Sequence, residues 1–274
     1  MTRNYLAIPV GSFLLVTLLL PACAQTNIDN PQGQLPTAVA TADQKPKLTD
    51  EDLARLYLIR KQYREAQDIF HKLTVEQPNN AVYWNELGIS FHNQSELDPA
   101  LRCYQKSTKL DPHYADALNN VGTIYYERQK YAKAIRAYKK AISLRQDFAA
   151  FYLNLGYAYF GKKDYEDSIA AFREALRIDP DTFDTARSRS GTIIQDRTVG
   201  SERARFYFLL AKSFAESGNV ERCVIYLKKA REEGYKDIDT VRSDPSFAIV
   251  IKDQAVQDFL QEKTADTVQQ QSVN

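Results

Sequence analysis

Histidine and cysteine are scarce in this chain, which has three of each among its 274 residues. The histidines are His71, His92 and His113, and no H-E-x-x-H, C-x-x-C or G-x-x-x-x-G-K-[ST] motif is present. This composition leaves little material for a metal site or for nucleophilic catalysis. The sequence therefore predicts a protein that is not an enzyme and that binds no metal and no cofactor.

Glycine and proline are also scarce, and neither sign of charge is in excess. Gly and Pro occur ten times each, and 36 Lys and Arg nearly balance 35 Asp and Glu. Without an overall polybasic character, nucleic acid is not an expected partner. Tyrosine, in contrast, occurs 17 times. Few helix breakers and many tyrosines favour a helical protein with aromatic packing over a β-sandwich or a disordered chain.

The N-terminal sequence MTRNYLAIPVGSFLLVTLLLPACAQ has the order of an export signal. A positive charge at Arg3 precedes an apolar stretch from residue 6 to 20, and the small residues Ala22-Cys23-Ala24 follow. The apolar stretch is short for a membrane span of about 20 residues. We expect 1–24 to be a signal peptide, with cleavage leaving Gln25 as the first residue of an exported, periplasmic or extracytoplasmic protein.

Two alternatives to this cleavage remain open. The sequence LPAC resembles a bacterial lipobox, in which Cys23 would be lipidated and would anchor the protein to a membrane. An uncleaved N-terminal anchor is the other alternative. All three interpretations place the body of the chain outside the cytoplasm. The other cysteines, Cys103 and Cys223, are expected to pack singly in helices, because repeated helices would hold them too far apart for a disulfide.

A 34-residue period runs through the middle of the sequence. Gly88, Gly122 and Gly156 follow one another at this interval. Each is preceded by an apolar residue and is followed three positions later by an aromatic one: Phe91, Tyr125 and Tyr159. The period divides the chain into the units 47–80, 81–114, 115–148 and 149–182. In the first unit Ala54 takes the glycine position.

The second half of each unit repeats as well. A small residue stands at Ala66, Ala100, Ala134 and Ser168, and an aromatic residue stands four positions later at Phe70, Tyr104, Tyr138 and Phe172. Glycine on one helix and alanine on the other allow two antiparallel helices to approach closely, and the aromatic side chains fill the volume beside them. The repeated spacing therefore predicts helix pairs, in which Gly88 and its equivalents are packing contacts.

These four units resemble the tetratricopeptide repeat (TPR) family over residues 47–182. The resemblance implies an all-α fold, a right-handed superhelical solenoid of antiparallel helix pairs. A fifth, divergent unit is expected at 204–237, after an insertion at 183–203. Because a terminal repeat exposes an apolar face, 238–263 is expected to form C-terminal capping helices. Residues 25–46 and 264–274 are expected to be a disordered linker and a disordered tail.

The resemblance also implies a concave groove lined by the first helix of each unit. Its predicted peptide-binding residues are Asn85, Asn119, Asn120, Thr123, Tyr126, Asn154, Tyr157 and Phe160. Asparagine offers a donor and an acceptor to an extended backbone. Lysine and arginine, with which related modules grip a C-terminal carboxylate, are missing from these positions in units two to four. An internal peptide segment, a protein partner or a second copy of the chain is therefore expected, although any one asparagine could simply be solvated.

The resulting hypothesis is a non-catalytic scaffold or adaptor of the bacterial cell envelope that binds a protein segment in the groove. The alternative is a TPR lipoprotein that acts as an assembly factor for an envelope complex such as a pilus or a secretion system; this alternative depends on Cys23. A third possibility, an enzyme or carbohydrate-binding module that uses the insertion, has no support in the spacing of the residues.

Overall fold

The computed structural model describes residues 48–183 and 201–271, and within these ranges every regular element is a helix. The α-helices are α1 Asp50–Ile59, α2 Tyr63–Glu76, α3 Ala81–Asn93, α4 Leu97–Leu110, α5 Ala115–Glu127, α6 Tyr131–Leu144, α7 Ala149–Lys162, α8 Tyr165–Ile178, α9 Ser201–Glu216, α10 Val220–Glu232 and α11 Gln254–Gln271. The all-α class is confirmed. The predicted signal peptide, its lipidation site Cys23, the linker and most of the insertion lie outside the described residues.

The helices follow the 34-residue period of the sequence. The first helices α3, α5 and α7 begin at positions 81, 115 and 149, and the second helices α4, α6 and α8 begin at positions 97, 131 and 165. The turn inside each pair contains one residue with a positive φ: 59° at Lys61, 65° at Ser95, 56° at Gln129, 71° at Lys163 and 74° at Gly218. A left-handed residue ends a helix and redirects the chain, so the same turn brings each second helix back against the first.

The two helices of a unit touch at the repeated glycine. A Cβ atom on Gly122 would lie 2.5 Å from Cε1 of Tyr138, whose side chain is fully buried. The equivalent distances are 2.6 Å from Gly88 to the ring of Tyr104 and 2.4 Å from Gly156 to the ring of Phe172. The aromatic ring therefore lies against the bare backbone of the facing helix, and a larger residue would have to displace it.

The other predicted packing residues lie around this contact. Ala100 and Ala134 are fully buried, Tyr159 is buried and Tyr125 is half-buried. The ammonium groups of Lys133 and Lys139 lie 5.5 Å from the ring centres of Tyr125 and Tyr159, respectively. In unit four Ser168 replaces the alanine, and its hydroxyl donates a 2.9 Å hydrogen bond to the carbonyl oxygen of Gly156. The hydroxyl is thereby satisfied inside the core.

The pair α9–α10 packs onto unit four in a different register. In the regular repeat, the first residue of α6, Tyr131, meets Gly161 at the end of α7. The equivalent first residue of α8, Tyr165, instead accepts a 2.9 Å hydrogen bond from Arg205, near the beginning of α9. Phe206 of α9 packs against α7 and α8, with its ring centre 5.4 Å from that of Tyr157 and 5.9 Å from that of Phe172. The described part of the fifth pair thus begins at residue 201 and departs from the superhelical period.

The C-terminal end covers the last helix pair. Two short 3-10 helices, Ile238–Arg242 and Pro245–Phe247, lead into α11. Phe247, Val256 and Phe259 are at most 1% exposed, as expected of a hydrophobic cap. The backbone of α11 continues to Gln271, whereas the sequence predicted a disordered tail from residue 264.

Cys103 and Cys223 are both free and buried, at separate places in the helix stack. Burial raises the pKa of these thiols, to about 11 for Cys103 and to about 12 for Cys223. Both side chains therefore act as small apolar groups in the core. Within the described ranges, the helices are too short or too polar for any of them to cross a membrane.

Candidate protein-binding groove

The structure places the eight predicted groove residues on three first helices. Asn85 lies on α3; Asn119, Asn120, Thr123 and Tyr126 lie on α5; and Asn154, Tyr157 and Phe160 lie on α7. Tyr126 is half-buried, and the other seven are at most 7% exposed. They form two groups with different neighbours, an asparagine group and an aromatic group. Contact of either group with a partner remains a prediction.

The four asparagines form a continuous line of hydrogen bonds across α7, α5 and α3, which we call the amide ladder. Asn154 Nδ2 donates to Asn119 Oδ1 at 3.0 Å, and Asn119 Nδ2 donates to Asn120 Oδ1 at 3.4 Å. Asn120 Nδ2 donates to Asn85 Oδ1 at 2.9 Å, and Asn85 Nδ2 donates to the hydroxyl of Tyr114 at 3.4 Å. All four amides are at most 4% exposed.

Two hydrogen bonds of the amide ladder join neighbouring first helices, one from α7 to α5 and one from α5 to α3. A primary amide has two N–H donors and an acceptor oxygen with two lone pairs. The ladder uses one N–H of Asn85, Asn119 and Asn120, and both of its bonds between first helices connect asparagines 35 positions apart. A buried polar network is favourable only when its members are satisfied, and then it fixes the spacing of the helices that carry it. The amide ladder therefore aligns the first helices of three units.

Thr123 belongs to the interior of unit three. Its hydroxyl donates to the carbonyl oxygen of Asn119 at 3.2 Å and accepts from the hydroxyl of Tyr138 at 3.3 Å. Burial raises the pKa of Tyr138, and the hydrogen bond to Thr123 opposes that effect. These contacts show Thr123 supporting the helix pair from inside.

Tyr157 and Phe160 join unit four to α9. The ring of Phe206 stacks on Tyr157 at 5.4 Å and meets Phe160 edge-on at 5.3 Å. The ring of Phe172 lies 5.9 Å from that of Phe206. Aromatic pairs in these geometries add stability beyond the area that they bury. The two predicted groove residues thus pack within the core, a role that the period of the sequence does not reveal because α9 lies outside that period.

A half-buried pair formed by His92 and Glu127 lies beside the amide ladder. His92 Nε2 is 2.9 Å from Glu127 Oε1, and the hydroxyl of Tyr104 is 3.4 Å from His92 Nδ1. When Nε2 donates to the carboxylate of Glu127, Nδ1 is left as the acceptor for the tyrosine hydroxyl. The repeat positions point to His92 and Glu127 separately; their pairing requires α3 and α5 to be side by side.

Glu86, the residue after Asn85 on α3, is a second half-buried acidic group. Burial raises the pKa of Glu86, Arg55 opposes this effect, and the neighbouring Asp116 adds to it. Asp116 itself accepts two hydrogen bonds from Arg145, at 2.6 and 3.2 Å. Tyr114, which ends the amide ladder, has its pKa raised to about 12 by burial. This side of the ladder is acidic and partly desolvated.

The side chains around the amide ladder can also be compared with the groups that metal binding or catalysis requires. In residues 48–183 and 202–262, whose side chains are described, no group of three His, Cys, Asp or Glu is placed to hold a metal ion. The chain of Tyr104, His92 and Glu127 contains no nucleophile beyond a buried phenol whose pKa burial raises well above its usual value. The arrangement can position amide donors and acceptors, but it offers no activated group.

Models of known families match the same repeats. Two models described as tetratricopeptide repeat match residues 103–136 and 149–182, and one described as TPR repeat matches 122–163. Residues 103–182 are tetratricopeptide repeats. Together the matched ranges run from the second helix of unit two to the end of unit four.

Solved structures with a similar fold are known. The TPR chain is 21% identical to MamA, with 69% of this chain and 98% of that chain covered and a TM-score of 0.47. A thermophilic TPR protein of Thermus thermophilus is 16% identical, with 70% and 94% covered and a TM-score of 0.48. The first TPR of Spaghetti (RPAP3), bound to the HSP90 peptide SRMEEVD, is 24% identical, with 39% and 85% covered and a TM-score of 0.38. No curated protein sequence matches the chain significantly.

Proposed function

We propose that this TPR protein is a non-catalytic scaffold or adaptor that binds an extended protein segment along the first helices α3, α5 and α7. The observation that carries the proposal is the amide ladder, which sets four asparagines in one line across three consecutive units. An extended segment presents a backbone N–H or C=O at intervals of about 3.3 Å. The buried ladder holds the first helices side by side, and polar side chains beside it that keep some exposure, such as Asn93 and Glu127, can bond to these backbone groups. TPR units are typically interaction modules, which agrees with this role.

The charges beside the amide ladder restrict the kind of segment that fits. Glu86 and Glu127 are acidic, and Asp116, which is paired with Arg145, lies near Glu86. A C-terminal carboxylate placed there would be repelled, because like charges in a partly desolvated site are unfavourable. An internal segment, whose backbone carries no terminal charge, avoids this repulsion. The proposed ligand is therefore a segment within a folded or partly folded partner.

The cellular setting is a further part of the proposal. The order of charged, apolar and small residues in 1–24 supports export to the cell envelope, and the sequence LPAC supports the alternative of a lipoprotein assembly factor. Replacing Cys23 with Ala distinguishes the two. Loss of the protein from the membrane fraction would support lipidation, whereas unchanged fractionation would support soluble export or an uncleaved anchor.

Binding at the groove is tested by crosslinked capture from an envelope extract. The groove variant carries Glu86→Arg and Asn93→Arg, which change a half-buried and an exposed residue of α3. The control variant carries Gln105→Arg and Ser143→Arg on exposed positions of the second helices α4 and α6. We expect wild type and control to capture the same protein and the groove variant to lose it. Equal capture by all three would refute binding at this face. The ladder asparagines are left intact, because their removal would disturb the fold.

A further inference from the structure

The second helices α4 and α6 carry exposed cations and are almost free of acidic residues in their own sequence. No Asp or Glu occurs in residues 99–110 or in residues 128–146. We define the basic face as the exposed side chains of six residues: Arg102, Lys109, Lys133, Arg136, Lys139 and Lys140. In the described part of the chain, none of the six has a carboxylate within ion-pair distance, since the salt bridges found there involve other cations. The surface therefore carries a local positive charge that the net charge of +1 conceals.

The repeat places the cations of the basic face in register. Arg102 and Arg136 occupy the same unit position 34 residues apart, on two second helices that are equivalent in consecutive units. In the flanking units this position is Asp68 and Ala170. A cation at this repeat position thus occurs only in units two and three, the two middle units of the four.

On the flanking second helices α2 and α8, cations form ion pairs with carboxylates. Lys72 of α2 pairs with Asp50 at 2.7 Å, and Arg173 of α8 pairs with Glu216 at 2.9 Å. On α6, Arg136 and Lys140 instead stand four residues apart, a spacing at which like charges destabilise a helix. Arg173 and Arg177 of α8 have the same spacing, but each of them pairs with a carboxylate. The repulsion within the basic face has no such compensation among the described residues. An anionic surface brought against this face would relieve this repulsion.

We infer that the basic face docks on an anionic phospholipid bilayer. A lysine or arginine near such a surface is attracted by its negative potential. Leu144 is 37% exposed and follows Lys140 by one turn of α6. An apolar side chain therefore lies at the edge of the basic face, where it can enter the headgroup region of a bilayer. Export to the envelope, which the N-terminal sequence predicts, would bring the chain close to such a membrane.

Single-stranded nucleic acid fits the basic face less well. Proteins that bind single strands place aromatic side chains on which the bases stack. Of the aromatic residues of α4 and α6, Tyr104 and Tyr138 are fully buried and Tyr131 is half-buried beneath the end of α7. The groove residues, in contrast, all lie on first helices. Membrane docking through the second helices would leave the groove open to a partner. The inference of membrane docking does not depend on the proposed binding function of the groove.

Vesicle flotation tests this inference. The full chain is used with Cys23→Ala in every version, so that lipidation is absent and any contribution of the N-terminal segment is shared. The basic-face variant carries Arg102→Gln, Lys109→Gln, Arg136→Gln and Lys140→Gln. The matched control carries Arg64→Gln, Lys163→Gln, Lys236→Gln and Lys252→Gln, four exposed cations outside the basic face. Vesicles consist of phosphatidylcholine alone or mixed with phosphatidylglycerol.

We expect phosphatidylglycerol to increase binding of wild type and control at least about tenfold at low salt, and high salt to abolish the increase. The basic-face variant should lose this increase while keeping its circular dichroism spectrum and thermal midpoint, because all four side chains are exposed. Equal binding to both kinds of vesicle, or an undiminished increase in the basic-face variant, would overturn the inference. So would a basic-face variant that lost only salt-sensitive self-association or RNA binding, since the surface would then serve a different partner.

Discussion

At the scale of single residues, Asn120 illustrates what a repeat position does and does not reveal. The 34-residue period places Asn120 and Asn154 at equivalent positions of units three and four, facing the groove. The structure shows Asn120 4% exposed, donating to Asn85 and accepting from Asn119. The hydrogen-bonding partner Asn85 is 35 residues away, so the contact depends on how two units stack. The position was predictable from the sequence, and the buried ladder was not.

Replacement of Asn120 by Ala should destabilise the protein by about 1–3 kcal/mol, because it leaves buried amide groups of Asn85 and Asn119 without their partner. Asn93 is the matched control: it is exposed, and Asn93→Ala should change the free energy of unfolding by less than about 0.5 kcal/mol. Urea unfolding followed by circular dichroism measures both. Equal small effects would show that the amide ladder does not contribute to stability.

The glycine contact gives a second residue-level prediction. Gly122→Ala should cost about 1–3 kcal/mol, because the new Cβ would meet the buried ring of Tyr138 at 2.5 Å and overpack the core. Gly161→Ala provides the comparison. Its Cβ would meet Tyr131 at the same distance, but that ring is only half-buried and can move aside. Thermal and urea unfolding should rank Gly161→Ala as the milder change; the reverse order would contradict this explanation of the repeated glycine.

At the scale of elements, the helix pairs follow from the sequence because their signals are local. Apolar residues at helical spacing, a small residue at each contact and a 34-residue period specify α3 to α8. The docking of α9 is different, because it follows a break in the period. Its key contact, Phe206 against Tyr157, joins residues with no common repeat position. Tyr157 and Phe160 were therefore predicted as groove residues, although the structure packs them against α9.

The turns inside the helix pairs are a further element-level feature. Gln129 has a φ of 56°, a conformation that glycine adopts without the steric cost of a Cβ atom. Gln129→Gly should therefore leave the stability unchanged or raise it by up to about 1 kcal/mol. Gln105→Gly, in the middle of the exposed face of α4, should lower it by about 1 kcal/mol. Parallel urea titrations of the two variants check the contrast. A similar loss in both would show that the turn does not favour glycine.

At the scale of the whole described chain, a substitution should destabilise mainly the repeat that contains it and its direct neighbours, because each repeat contacts only its neighbours. Phe259 is 1% exposed in the C-terminal cap, and Phe259→Ala should cost about 3–5 kcal/mol there. Hydrogen exchange should accelerate in α9 to α11 while α1 to α4 stay protected. Ile249→Ala is the control, because Ile249 is 70% exposed and should leave exchange unchanged. Uniform acceleration along the chain would show that the helices unfold as one cooperative unit.

The central claim is that the first helices form the partner-binding face. Its most direct test is site-specific photo-crosslinking in intact cells, with a photoreactive amino acid at Asn93 on α3 or at Gln105 on α4, both of which are exposed. The account predicts a covalent adduct with one protein from position 93 and none with that protein from position 105, and peptide mapping should locate the adduct in an internal segment of the partner. No adduct at position 93, or the same adduct at both positions, would contradict the claim.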